Sequence, residues 1–282
     1  MDNPFPIKGR YIVAMWLIPY VYFPGLEHIY GFIDQDSEWY WYQIIHFYYY
    51  HFIFVTVLIM FFYWHKINVR KMLLQPNSVD YIPSLKFSVF IIIFSIATTY
   101  TLFYPLSYIW PEFVNYWFID LPPIIYSNYN KEFPLLPNVL SFISLVVLAP
   151  IIEEFAFRGV LLHRWSQRWG MTSAILISSL LFGVVHPDVI GAFAFGVAMS
   201  IIYLKTQTLI VPIICHAFTN IIAMLSEAGY ITWLGINHRY TIEDFRSEWP
   251  IALITTVIVI VWGYIYLYHS KKNNKVWSLP IL

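Results

Sequence analysis

Charge is scarce in this 282-residue sequence: Asp, Glu, Lys and Arg together make up only 11%. A soluble domain carries about 25%, so the chain lacks the polar surface to dissolve as a globule. Sixteen basic residues cancel sixteen acidic ones, which excludes a basic nucleic-acid face and an acidic tail. A single cysteine excludes an internal disulfide framework and any multi-cysteine zinc module. No H-E-x-x-H and no serine nucleophile elbow occurs either. What is abundant is apolar: 59% hydrophobic residues, with aromatics at 21%. The composition is that of a polytopic membrane protein whose aromatics meet membrane interfaces.

A span needs about 20 apolar residues at about 1.5 Å each. Eight candidates follow, at 11–30, 44–64, 87–110, 139–162, 172–187, 189–204, 208–226 and 250–269. The expected fold is an all-α bundle of about eight transmembrane helices. Charge placement supports that count. With the N-terminus inside, twelve Lys and Arg fall on inner segments and only Lys131, Arg239 and Arg246 on outer ones. The positive-inside rule then places both termini in the cytoplasm. The first candidate imitates a signal peptide, but Tyr22, Phe23 and Pro24 are wrong for a cleavage site, so a retained anchor is expected. The segments 31–43 and 111–138 read as outer stretches, and Trp39 to Tyr42 as part of an aromatic belt. The organisation expected is N-terminal helices over 1–138, a catalytic core over 139–226, and a last helix with a basic tail over 227–282.

A charge near mid-bilayer costs roughly 2.5–3.5 kcal/mol, which makes each one a candidate functional group. The fourth span contains Glu153, Glu154 and Arg158. Glu154 and Arg158 are four apart and can pair on one helix face. Glu153 points about 100° away and lacks that partner, leaving one carboxylate available as a general base. Pro150 just upstream frees backbone groups beside the acids. The fifth span ends with Phe182 and His186 on one face, and the seventh carries His216 and Asn220 on another. Taken singly, these are ordinary helix locks, caps or interhelical glue. Together they place six polar residues in three spans between 153 and 220, with the rest of the core expected to be almost free of ionisable groups. By depth, His186 falls nearer the outer side than Glu153 and His216. A fifth helix standing proud of the membrane, or a buried turn at Pro187, would level them. Ala192, Gly196 and Ser200 form a small-residue stripe that lets a neighbouring helix approach.

A carboxylate, two imidazoles and an amide suit hydrolysis of a carbonyl. Glu153 would deprotonate a water, His186 would hold it, and His216 with Asn220 would donate to the oxyanion. The same atoms offer the alternative of a divalent metal, zinc above all, on Glu153, His186 and His216.

These residues resemble the CAAX-protease and bacteriocin-processing family of intramembrane proteases, also called the abortive-infection domain family. Its E-E-x-x-x-R, F-x-x-x-H and H-x-x-x-N patterns stand here as Glu153 to Arg158, Phe182 to His186 and His216 to Asn220, over about 140–225. The resemblance implies an endopeptidase in which Glu153 activates water and Glu154 and Arg158 support it. His186, His216 and Asn220 complete the site. It implies either a metalloprotease or a metal-free glutamate mechanism, and Asn220 favours the latter slightly, being a better oxyanion donor than zinc ligand. Expected partners are the lipid bilayer and a peptide or prenylated, lipidated protein substrate, with no nucleic acid. A bacterial inner (plasma) membrane is the expected location. The competing reading is a non-catalytic scaffold or immunity protein that binds a sensor or bacteriocin partner; a transporter would show paired halves, which this chain lacks.

Overall fold

In the computed structural model, the described residues are 39–73, 81–127, 132–235, 238 and 240–270. The candidate span 11–30 lies outside them. All regular structure among the described residues is helical. Helix α1 covers Trp39–Trp64, α2 Val69–Leu73 and α3 Tyr81–Ile109; α4, Pro111–Val114, continues as a π turn through Asn115–Ile119. The long α5, Leu135–Trp169, is followed by α6 Met171–Val184, α7 Val189–Thr206, α8 Ile210–Leu234, α9 Ile242–Ser247 and α10 Trp249–Ser270. Five of these helices (α1, α3, α5, α7 and α8) are long and apolar enough to cross a membrane, and α6 and α10 are shorter apolar helices. Large side chains such as Phe52, Ile59, Leu180, Leu253 and Ile260 face outward. An apolar exterior over a helical bundle is what lipid as solvent requires. The protein is an integral membrane protein.

Seven of the eight expected spans are therefore present as helices, with shifted ends. Trp39 to Tyr42 form the first turn of α1 rather than an outer loop. Tyr40 is buried and its ring lies 6.0 Å from that of Tyr126, whereas Tyr42 points outward. Segment 111–138 is also not a simple loop. Its backbone at 124–126 is strapped down by side chains: Glu227 accepts from the N–H groups of Ile124 and Ile125 at 2.9 Å, and Asn138 both accepts from and donates to Tyr126.

Helix α5 departs from α geometry twice, over Ile143–Leu148 and Phe155–Leu162. Pro150 explains the first departure. The Ala149 N–H bonds back five residues, to the Ser144 carbonyl. The next such bond would run from residue 150 to Leu145, and proline has no N–H to give. The freed Leu145 carbonyl accepts instead from Asn220 Nδ2 of α8 at 2.8 Å. π turns of this kind concentrate at functional sites.

Helices α6 and α7 pack as a tight hairpin. A Cβ on Gly196 would stand 2.8 Å from Ser179 Cβ and 2.9 Å from its Cα. Gly196→Ala should therefore force the pair apart at about 1–3 kcal/mol. Gly229→Ala, where nothing lies within 4 Å, should cost nothing. Thermal unfolding in detergent checks this, and equal midpoints for the two variants would refute it. The expected small-residue stripe thus has a specific cause: Gly196 is where two backbones meet.

Candidate active site

Glu154 is fully buried, and its Oε1 accepts from Arg158 Nη1 at 2.7 Å. The i,i+4 pair expected from spacing forms. Arg158 Nη2 reaches across to the Gly196 carbonyl at 3.0 Å, so one guanidinium ties α5 to α7. The same Glu154 oxygen lies 3.0 Å from His216 Nδ1. A carboxylate already paired with arginine accepts, so Nδ1 carries the proton and neutral His216 keeps its lone pair on Nε2. That nitrogen faces Glu153 Oε2 at 3.9 Å, too far for a direct hydrogen bond. Glu153 Oε2 is buried and accepts no hydrogen bond from the described residues, and Glu154 Oε2 shares that condition. Glu153 nonetheless keeps 21% of its side chain exposed, against none for its neighbour. Adjacent carboxylates thus hold opposite positions, one locked and one free.

Phe182 is the pivot of the site. His186 stacks on its ring at 4.4 Å, Arg158 lies over it at 5.2 Å, and His216 meets it edge-on at 6.0 Å. His186 Nδ1 is 2.7 Å from the Phe182 carbonyl. A carbonyl only accepts, which leaves Nε2 of neutral His186 free as an acceptor. The turn at 185–188 is half-buried and brings His186 to the cavity that His216 also lines. Trp117 Nε1 of the α4 turn donates to the Pro187 carbonyl at 2.9 Å, and Ser95 donates to Asp188, which caps α7. With only 14 residues, α6 stops short and delivers His186 inward.

A cavity of about 490 Å³ reaches His186, His216 and Asn220, with Ile91, Ile96, Leu121 and Ile222 among its apolar walls. Glu153 does not line it, so His216 lies between the cavity and the carboxylates. Asn220 sits at the edge, with Nδ2 spent on Leu145 rather than aimed inward. Among the described residues, no three His, Cys, Asp or Glu side chains converge closely enough to hold a metal ion. Glu153 and His216 offer two ligands, and His186 stands apart on Phe182.

Residues 135–222 match the family described as Type II CAAX prenyl endopeptidase Rce1-like. This segment is similar to Rce1-like domains. The CAAX prenyl protease 2 of Rattus norvegicus is 34% identical over 138 residues, which is 48% of this chain and 40% of that protein. The Staphylococcus aureus membrane-embedded CAAX protease MroQ is 31% identical over 94 residues, 30% of this chain and 37% of its own length. The putative membrane peptidase YdiL of Bacillus subtilis is 30% identical over 84 residues, covering 29% of this chain and 34% of that one. The match thus spans about two fifths or less of each of these three relatives. No solved structure matches the chain significantly. The Rce1-like segment contains all six motif residues.

Sequence reading missed several contributors. His51 and His163 are buried outside the motifs, so the core is less free of ionisable groups than expected. Phe195, whose ring is 4.8 Å from that of His216, and the Gly196 carbonyl carry no polar side chain to betray them.

Proposed function

We propose that this chain is an intramembrane endopeptidase that hydrolyses a peptide bond near the C-terminus or leader of a lipidated or membrane-associated peptide. The observation that carries this reading is the unpartnered Oε2 of Glu153, 3.9 Å from a histidine whose orientation Glu154 fixes. A water held between Glu153 and His216 gives its proton to Glu153 as its oxygen bonds to the scissile carbonyl carbon. His216 Nε2 accepts the water's other hydrogen and aims its oxygen at that carbon. Collapse breaks the C–N bond, and Glu153 returns the proton to the leaving amine. His186, with Nε2 free at the cavity, orients the peptide. Asn220 supports the helix that carries Glu153 by taking the Leu145 carbonyl.

A two-ligand convergence in place of a three-ligand one supports water activation by side chains without a tightly bound metal. The apolar walls of the 490 Å³ cavity suit a lipidated segment, as do the names of the rat and staphylococcal relatives. The bacterial relatives support a bacterial plasma membrane.

Wild type and His216→Ala, purified in detergent, would be incubated with a quenched prenylated C-terminal peptide and with bacterial leader peptides, each with and without a chelator. Wild type should cleave the lipidated peptide equally in both conditions, and His216→Ala should not cleave it. Loss of cleavage with chelator would overturn the metal-free reading. Cleavage of soluble peptides but never of lipidated ones would overturn the substrate class.

A further inference from the structure

Helix α1 lies outside the Rce1-like segment and carries none of its motifs. Its buried stripe is Tyr40, Ile44, His51, Phe54, Leu58 and Phe61, apolar or aromatic but for one imidazole. Burying that ring at 7% exposure has a cost unless its polar atoms are used. Nδ1 is used: it lies 2.7 Å from the Phe47 carbonyl one turn back, which can only accept, so Nδ1 bears the hydrogen. In the neutral ring Nε2 is then a bare acceptor.

His51 lines a second cavity of about 80 Å³, between α1, the strapped 122–126 segment and the π turn of α5. That volume has room for ordered water. The same cavity touches Ala149, which sits one turn before Glu153 on the same face of α5. Helix α1 packs against this part of α5. Glu153 thus faces His216 of α8, which Glu154 engages, and stands one turn from the cavity that His51 of α1 lines; among the described residues the His51 ring is bonded within its own helix. The other charged groups acting here are Glu154 and Arg158, both committed to each other.

We propose that His51 is a positioning residue for Glu153, holding its carboxylate through ordered water in the cavity that reaches Ala149. The inference rests on Glu153 being the base of the proposed hydrolysis. It extends the working site beyond the matched segment onto a helix that the motifs do not reach.

The test uses His51→Phe, His51→Gln, Glu153→Gln and the His51→Phe/Glu153→Gln double variant of the full chain in detergent, measuring kcat and KM on the lipidated peptide and the unfolding midpoint. His51→Phe should lower kcat about tenfold and leave KM within about twofold. His51→Gln, whose amide oxygen accepts where Nε2 did, should restore most of kcat. The unfolding midpoints of the two single variants should not add up to that of the double. A wild-type kcat in His51→Phe, an equal fall in both His51 variants, or additive midpoints would each overturn the proposal. If wild type cleaves nothing, the proteolytic reading fails by itself, and the midpoint cycle still decides whether His51 and Glu153 are coupled.

Discussion

Glu153→Gln should leave a folded protein that hydrolyses the prenylated test peptide about a hundredfold to ten-thousandfold more slowly than wild type. General-base contributions run to about 10²–10⁴-fold, and Gln removes the basic oxygen while keeping the shape. Stability should not follow activity. Glu153 Oε2 has no hydrogen-bond partner among the described residues, and the side chain is one-fifth exposed. Neutralising it breaks no ion pair, so the unfolding midpoint should stay level or rise slightly. Steady-state cleavage and a thermal scan on the same preparation check both halves. A variant that retains a tenth of the activity would remove Glu153 from the base role. A variant that is inactive because it unfolds would make Glu153 a structural residue.

The converse pattern is expected one turn away. Arg158→Met should destabilise the fold by about 3–5 kcal/mol, the cost of stranding a buried charge. Glu154 has no exposure and depends on Arg158 and His216 for its two contacts. Arg158 also serves the Gly196 carbonyl at 3.0 Å, so its loss loosens the seam between α5 and α7. Arg158→Lys should fall between, because a single ammonium cannot reproduce a fork that bonds the carboxylate and the carbonyl together. Arg158→Met with a wild-type midpoint would show that the pair contributes nothing to stability. The Arg158 and Glu153 variants together separate locking the site from using it.

Most of the helices are legible in the amino-acid sequence, because lipid imposes a simple rule. A run of about 20 apolar residues must satisfy its own backbone by becoming a helix, and seven described helices stand where such runs occur. The pairing of Glu154 with Arg158 is equally legible, since i and i+4 share a face regardless of what lies around them. The short helices α2, α4 and α9 are not, because their few residues carry no period long enough to distinguish from a loop.

The site is legible in its members and not in its arrangement. Spacing places His216 and Asn220 on one face of α8, but it cannot say that Asn220 is drawn to the Leu145 carbonyl. That bond depends on a backbone group released by Pro150 on another helix. Nor can spacing bring His186 to the cavity of His216; this follows from a short α6 and a turn held by Trp117 and Ser95. His51 is the clearest instance. Helix α1 is apolar on every side, so only packing shows that His51 faces inward, and its neighbour across the cavity lies about a hundred residues further along the chain. The amino-acid sequence by itself determined which segments enter the membrane and which charges must pair along one helix, because those are local consequences of burial and helical pitch. Only the tertiary structure decided which carboxylate stands free and which histidine faces it, because those depend on distances between helices that local physics leaves open.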